Sequence, residues 1–262
     1  MNYIYQITKR GLCSELNSLL GFYESIIDTD CQVYINADQS QYFKTVSIYD
    51  VFKFPDIFVD TPQPDSKIIS SQQWTKSALT KYKTKLTKLQ CSELFSYTNH
   101  FQNRLDKNIK QLSLPLNYNC FHIRRGDKVN EKLSHTSGQK QGESLRFELA
   151  DYIHAVNSFS VDIDNLFIMT DDFKCIQESK EFLLEHQDSY KIFSLVKRGQ
   201  DGHSTLLDLQ NKKKFSEQEL VQFFTEMEIA KHSNIFVGTR TSNVYRYILN
   251  TCITNTKFIS LD

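Results

Sequence analysis

The sequence has no run approaching the roughly 18 apolar residues that a membrane-spanning helix needs. Charge of a dominant sign is also missing, because 31 Lys and Arg face 31 Asp and Glu. Bulk electrostatics therefore gives no pull toward nucleic acid or an anionic membrane, and any anion site has to be local. The six cysteines, Cys13, Cys31, Cys91, Cys120, Cys175 and Cys252, form no C-x-x-C pair. Their scatter argues against a zinc site or a disulfide scaffold and favours reduced thiols. There is no Asn-x-Ser/Thr sequon. The first residues, Met1 to Ile7, lack the basic start and long apolar stretch of a signal peptide. The expectation is a soluble, cytoplasmic protein with neither nucleic acid nor a membrane as partner.

What is present is a chain of 262 residues, 40% hydrophobic and 13% aromatic. That suffices for a real core in one large domain or two modest ones. Strand-like and helix-like segments alternate along it. Tyr3 to Thr8 and Cys31 to Asn36 read as strands, with a helix between them carrying Leu16, Leu19, Leu20, Tyr23 and Ile27 at helical spacing. Val46 to Val59 is rich in β-branched and aromatic residues but broken by Pro55. Lys76 to Tyr97 and Thr98 to Gln111 read as helices, their lysines forming a solvated face. After Pro115 the alternation resumes, with strands at Cys120 to Arg124, Asn165 to Thr170, Lys191 to Val196 and Ile235 to Gly238. Helices are expected at Leu145 to Ser158, Phe173 to His186, Glu217 to His232 and from Thr241 onward. Such alternation predicts an α/β protein with parallel sheets. The break near Pro115 predicts two domains, residues 1–115 and 116–262.

Each strand of the second half runs into a polar cluster. Phe121-His122-Ile123 leads into Arg124-Arg125-Gly126-Asp127-Lys128. Leu166 to Met169 leads into Thr170-Asp171-Asp172, and Ile235-Phe236-Val237 into Gly238-Thr239-Arg240-Thr241-Ser242-Asn243. In an open parallel sheet ligands bind outside the carboxyl ends of the strands, so these clusters are expected at one crevice. Arginines, a lysine and hydroxyls before a helix N-terminus suit a pyrophosphate, since guanidinium forks and exposed N–H groups match its oxygens. Thr170, Asp171 and Asp172 also fit plain helix capping. Capping does not account for the paired arginines and the lysine.

His122-Ile123-Arg124-Arg125-Gly126-Asp127-Lys128 resembles the His-x-Arg-Arg-x-Asp-Lys peptide of the α-1,6-fucosyltransferases, which are grouped with Nod-factor and protein O-fucosyltransferases. Phe167 to Asp172 and the segment from Glu226 to Arg246 resemble that superfamily's second and third motifs, in order and at similar spacing. The likeness covers residues 120 to 250 well and the first half loosely. It implies a GT-B fold of two facing Rossmann-like domains, the donor GDP-fucose, a glycan acceptor, inversion at the anomeric carbon and no metal or other cofactor. Residues 1–115 would then be the acceptor side and 116–262 the nucleotide-sugar side.

The resemblance also implies roles. Arg124 would hold the β-phosphate, with Arg125, Thr241, Ser242, Asn243 and Asp171 around the donor. His122 and Glu226 would read the guanine, Glu226 standing where relatives often carry Asp. Asp127 and Lys128 would orient the loop toward the acceptor. The expected base is Glu131, three residues after the lysine rather than four, with Asp127 the alternative. The glycine-rich loop is reduced to Arg10-Gly11-Leu12-Cys13-Ser14, where Gly11 could let the backbone approach a phosphate or simply make a turn. An α-1,2-type fucosyltransferase, which usually has an aromatic residue in place of Lys128, is the nearest alternative. A binding module without catalysis is another. An adhesive use of Arg125-Gly126-Asp127 would require an exposed hairpin tip. Asp28-Thr29-Asp30 and Asp162-Ile163-Asp164 have the Asp-x-Asp form of metal-dependent sugar transferases, but both sit at expected turns, where Asp is common.

Overall fold

The computed structural model describes residues 2–72, 85–125, 146–159, 164–185, 190–200, 202, 208, 211 and 214–262. The chain divides into two compact units. One comprises Met1–Asp106, Leu206–Phe223 and Asn250–Ile253, the other Lys107–Thr205, Phe224–Leu249 and Thr254–Asp262.

The first unit holds β1 (Asn2–Gln6), α1 (Leu12–Ile26), β2 (Gln32–Asn36), the short α2 (Ile48–Val51), β3 (Lys67–Ser70) and α3 (Lys88–Leu94). Its sheet is parallel in the order β2-β1-β3. The apolar stripe of α1 covers it, and Tyr5 of the central strand stacks on Phe22 at 4.8 Å between centroids. The boundary between the units falls within helix α4 (Asn99–Leu112).

The second unit carries β4 (Asn119–Ile123), α5 (Leu149–Asn157), β5 (Asn165–Thr170), α6 (Phe173–Glu185), β6 (Lys191–Phe193), the part of α7 (Glu217–Lys231) from Phe224 onward, β7 (Ile235–Gly238), α8 (Asn243–Thr251) up to Leu249, and β8 (Lys257–Ser260). All its strand pairs are parallel, in the order β6-β5-β4-β7-β8. The strands run outward from β4 to β6, and the chain then returns to add β7 on the other flank of β4. The carboxyl ends of β4 and β7 thus flank the topological switch point, where such sheets bind ligands. The expectation of an α/β protein built on two parallel sheets is met.

Side-chain alternation divides the second unit's core. Phe121, Ile123, Leu166, Ile168, Ile235 and Val237 pack with residues of α5 and α6 on one face. On the opposite face the His122 ring lies against Phe236 at 6.5 Å, and Phe236 stacks on Tyr245 of α8 at 5.5 Å. Gly238 closes this face: a Cβ there would stand 2.9 Å from Tyr245 Cδ2 and 3.5 Å from His122 Cβ. Tyr245 is itself buried against Phe236 and Phe258 and has nowhere to retreat. Gly238→Ala is therefore expected to destabilise the fold by about 1–3 kcal/mol, the usual cost of overpacking. Urea denaturation with an unchanged midpoint would overturn this.

Local structure differs from expectation in places. Val46 to Val59, for all its β-branched and aromatic residues, holds a short helix. Ile48–Val51 is a helical turn closed by a capping box between Ser47 and Asp50, and Val33↔Phe58 and Phe52↔Tyr97 are isolated bridges. Strands β3 and β8 lie in segments where no strand was expected; each has only four residues, and its two apolar residues are adjacent rather than alternating. The last helix begins at Asn243, because Ser242 turns first. Among the described residues, no helix is long and apolar enough to cross a membrane.

Candidate active site

The register brings the polar clusters of the second unit to one edge of its sheet. His122 lies opposite Met169, and Ile123 opposite Thr170. On the other flank Phe121 pairs with Val237, so His122 stands beside Gly238. The ends of β4, β5 and β7 are thus neighbours, and α7 supplies Glu226 from above the His122 face.

His122 is 5% exposed, and its Nδ1 has no hydrogen-bond partner. Burial, reinforced by the positive charge of Arg124 and only partly offset by Asp171, pushes its pKa down to about 4. The ring is neutral in neutral solution and can donate with one nitrogen while accepting with the other. Glu226 is 6% exposed, and its Oε1 also lacks a partner. Burial, with the like charge of Asp171 added, pushes this carboxyl up to about 8. Helix α7 is buried around much of its circumference here, Phe224, Thr225, Met227, Ile229 and Ala230 all being closed off. A carboxyl in such a helix loses water on every side. Leaving two buried polar atoms unpaired typically costs about 1–3 kcal/mol each, a cost that a hydrogen-bonding ligand would remove.

The two arginines after β4 have different surroundings. Arg124 is half-buried, and its charge acts on His122. The Arg125 side chain is only 8% exposed. Its guanidinium donates to the Phe147 carbonyl at 3.0 Å and to Glu148 at 3.2 Å, with Glu178 at 3.5 Å. Its backbone N–H donates to Asp171 Oδ1 at 3.2 Å. Arg125 thus ties the end of β4 to the starts of α5 and the β5 loop. An adhesive tripeptide would instead need this arginine exposed.

The Thr170-Asp171-Asp172 cluster includes local caps. Thr170 Oγ1 accepts from the Asp172 N–H at 3.3 Å, and Asp172 Oδ1 accepts from the Lys174 N–H at 2.9 Å. Asp171 is the member that faces the site, since its charge acts on both His122 and Glu226. After β7, Ser242 caps α8, its hydroxyl accepting from the Val244 N–H at 3.3 Å. Asn243 Oδ1 accepts from Arg246 Nη2 at 2.6 Å. Thr241 turns toward Asp262, donating with its N–H at 3.1 Å and its hydroxyl at 2.6 Å. The same carboxylate accepts from the Arg240 N–H and from Ser260 Oγ. Burial works against the Asp262 charge, but these hydrogen bonds outweigh it and lower its pKa.

Asp262 is a residue that reading the sequence missed. The signal was available: Phe258-Ile259 running into Ser260-Leu261-Asp262 repeats the apolar-to-polar pattern of the other strand ends, but so short a strand went unrecognised. Glu15 was missed as well. This buried carboxylate in the first turn of α1 accepts from Thr8 Oγ1 at 2.7 Å and Arg10 Nε at 2.7 Å.

Gly11 belongs to the first unit and sits at the N-cap of α1 with φ −59° and ψ 143°. A Cβ there would meet nothing within 4 Å, so neither steric contact nor backbone strain demands glycine. Asp127, Lys128 and Glu131 lie outside the described residues. Among the described residues, no group of three His, Cys, Asp or Glu side chains is disposed to hold a metal ion.

No known protein family and no curated protein matches the sequence. Solved structures do match the fold. Fucosyltransferase NodZ from Bradyrhizobium aligns with a TM-score of 0.53 at 10% identity, covering 100% of this chain and 97% of that one. The apo form of POFUT1 gives 0.53 at 12%, over 99% and 98%. A crystal of NodZ alpha-1,6-fucosyltransferase soaked with GDP-fucose gives 0.54 at 11%, over 99% and 95%. Likeness at this identity is likeness of fold, and the chain has the GT-B architecture of these structures.

Proposed function

We propose that this protein is an inverting glycosyltransferase that moves fucose from GDP-fucose to a hydroxyl of a glycan acceptor, without a metal. The observation that carries the reading is the pair of buried, unpartnered polar atoms, His122 Nδ1 and Glu226 Oε1, at the switch point of a GT-B sheet. A nucleobase edge has the donors and acceptors to satisfy both. The matched structures include NodZ and POFUT1 with GDP-fucose, which supports GDP-fucose as the donor.

In this reading the acceptor oxygen attacks C1 of fucose as the C1–O bond to the β-phosphate breaks, through an oxocarbenium-like state. The diphosphate leaves with the bonding electron pair, and Arg124 stabilises the charge it gains. Lys128 assists, and Ser242 and Asn243 approach the diphosphate from the α8 N-terminus. The acceptor proton goes to Glu131, or to Asp127 in its place. The acceptor-side role falls to residues 1–115, and 116–262 bind the nucleotide sugar. Lys128 and the Thr241 to Arg246 segment favour an α-1,6-like transferase, with an α-1,2-type transferase as the alternative.

Thermal-shift measurements with GDP, UDP, ADP and their sugars test the donor. Selective stabilisation by GDP and GDP-fucose is expected. Selective stabilisation by UDP would overturn the reading. GDP binding without GDP release from GDP-fucose and any glycan acceptor would leave a binding module in place of an enzyme.

A further inference from the structure

Glu226 is enclosed at 6% exposure with its Oε1 unpartnered, and among the described residues no counter-charge is set against it. Cys120 of β4 faces it, a thiol pushed well above its ordinary value, first by burial and then by Glu226 itself. Asp171, after β5, bears the same sign as a Glu226 carboxylate. His122, on the same face of the sheet, is neutral. On α7 itself, Lys231 is bound to Glu228 at 2.7 Å. A carboxyl so placed keeps its proton in neutral solution and offers one O–H donor and one C=O acceptor. Once the proton leaves, it offers acceptors alone.

A guanine base meets these two forms along different edges. Its N1–H and O6 are a donor and an acceptor side by side, which match a neutral carboxyl. Its N1–H and N2 amino group are two donors, which match a carboxylate. Hypoxanthine keeps the first pair and lacks the amino group. We propose that Glu226 reads the base through a proton-linked change of edge, so that guanine is told from hypoxanthine only as the Glu226 proton leaves. The proposal rests on the reading of this site as a GDP site. One proton passes from the Glu226 O–H to solvent for each guanine bound in the carboxylate mode, and no other covalent bond changes.

Calorimetric titration of the full chain with GDP and with IDP tests this, run from about pH 6 to about pH 8.5 in two buffers of different ionisation enthalpy. The ratio of GDP to IDP affinity is expected near one at the acid end. It should rise about 10-fold by the alkaline end, the worth of one charge-assisted hydrogen bond. GDP should release a proton on binding in the middle of the range. In Glu226→Gln the amide fixes one donor and one acceptor, so the ratio should stay near one throughout. That variant also registers any titration of the bases or phosphates themselves. A ratio flat with pH in the wild type would overturn the proposal, and so would a ratio in Glu226→Gln that rises as in the wild type. Preference for GDP over UDP and ADP together with a flat ratio would sink this inference alone. Equal binding of GDP, UDP and ADP would sink the nucleotide reading with it.

Discussion

Arg124→Ala is expected to lower fucosyl transfer from GDP-fucose about 100- to 1,000-fold, the usual loss when one preorganised donor to a developing oxyanion is removed. The argument is one of position and charge. Arg124 follows the central strand of the sheet, next to the switch point, and its charge is felt at His122. The neighbouring Arg125 has its guanidinium bound to Phe147, Glu148 and Glu178. Arg125→Ala should therefore lower the melting temperature through loss of those bonds, whereas Arg124→Ala should leave the protein folded and inactive. Arg124→Lys keeps the charge but loses the planar fork and should recover only part of the rate. There is a second readout. Burial is the main cause of the low His122 pKa, and the Arg124 charge adds to it. Removing that charge should move the His122 titration upward from about 4, which NMR of the imidazole would detect. Near-normal turnover in Arg124→Ala would sink the assignment of Arg124 to the leaving group.

Glu226→Gln is expected to stabilise the unliganded protein in neutral and mildly alkaline solution. In the folded chain the Glu226 pKa is raised to about 8 from an ordinary 4.5. Its folded value thus lies above its unfolded one, and the folded state holds the extra proton between the two. This group's contribution to stability is fully present below about pH 4.5 and is lost as pH rises to about 8. At pH 7 the loss is on the order of 3 kcal/mol, from 1.36 kcal/mol per pKa unit. Glutamine has no proton to lose and escapes it. Its melting temperature should exceed that of the wild type by several degrees near pH 8 and by little near pH 4.5, since each kcal/mol is worth about 2–4 °C in a domain of this size. Scanning calorimetry at the two pH values checks this, and equal melting temperatures at the alkaline one would overturn it. A residue that costs stability in the empty protein is what a binding site looks like when its ligand is absent.

The sequence is most legible where a long apolar run sits between polar turns. Asn165–Thr170 and Ile235–Gly238 were legible to the residue, because continuous apolar runs bounded by polar turns mark buried parallel strands. The placing of His122, Arg124, Asp171 and Ser242 at strand ends followed from the same pattern, and the parallel alternation fixed that those ends share one edge. Strands β3 and β8 could not be read, because four residues with two adjacent apolar side chains carry no period.

Other features belong to no local segment. Arg124 and Arg125 are chemically identical and adjacent, and only the fold turns one guanidinium onto Glu148 and Glu178. Thr241 looks like a ligand-binding hydroxyl until β8 brings Asp262 beside it. Glu226 looks like any helical glutamate until α7 is laid on the sheet. Its titration is then decided by lost water and by Asp171, both of which arrive through space. Composition and periodicity act over a few residues and determined most of the strands and helices and their order. Burial and charge act over several ångströms between distant segments, and those only the tertiary structure could decide.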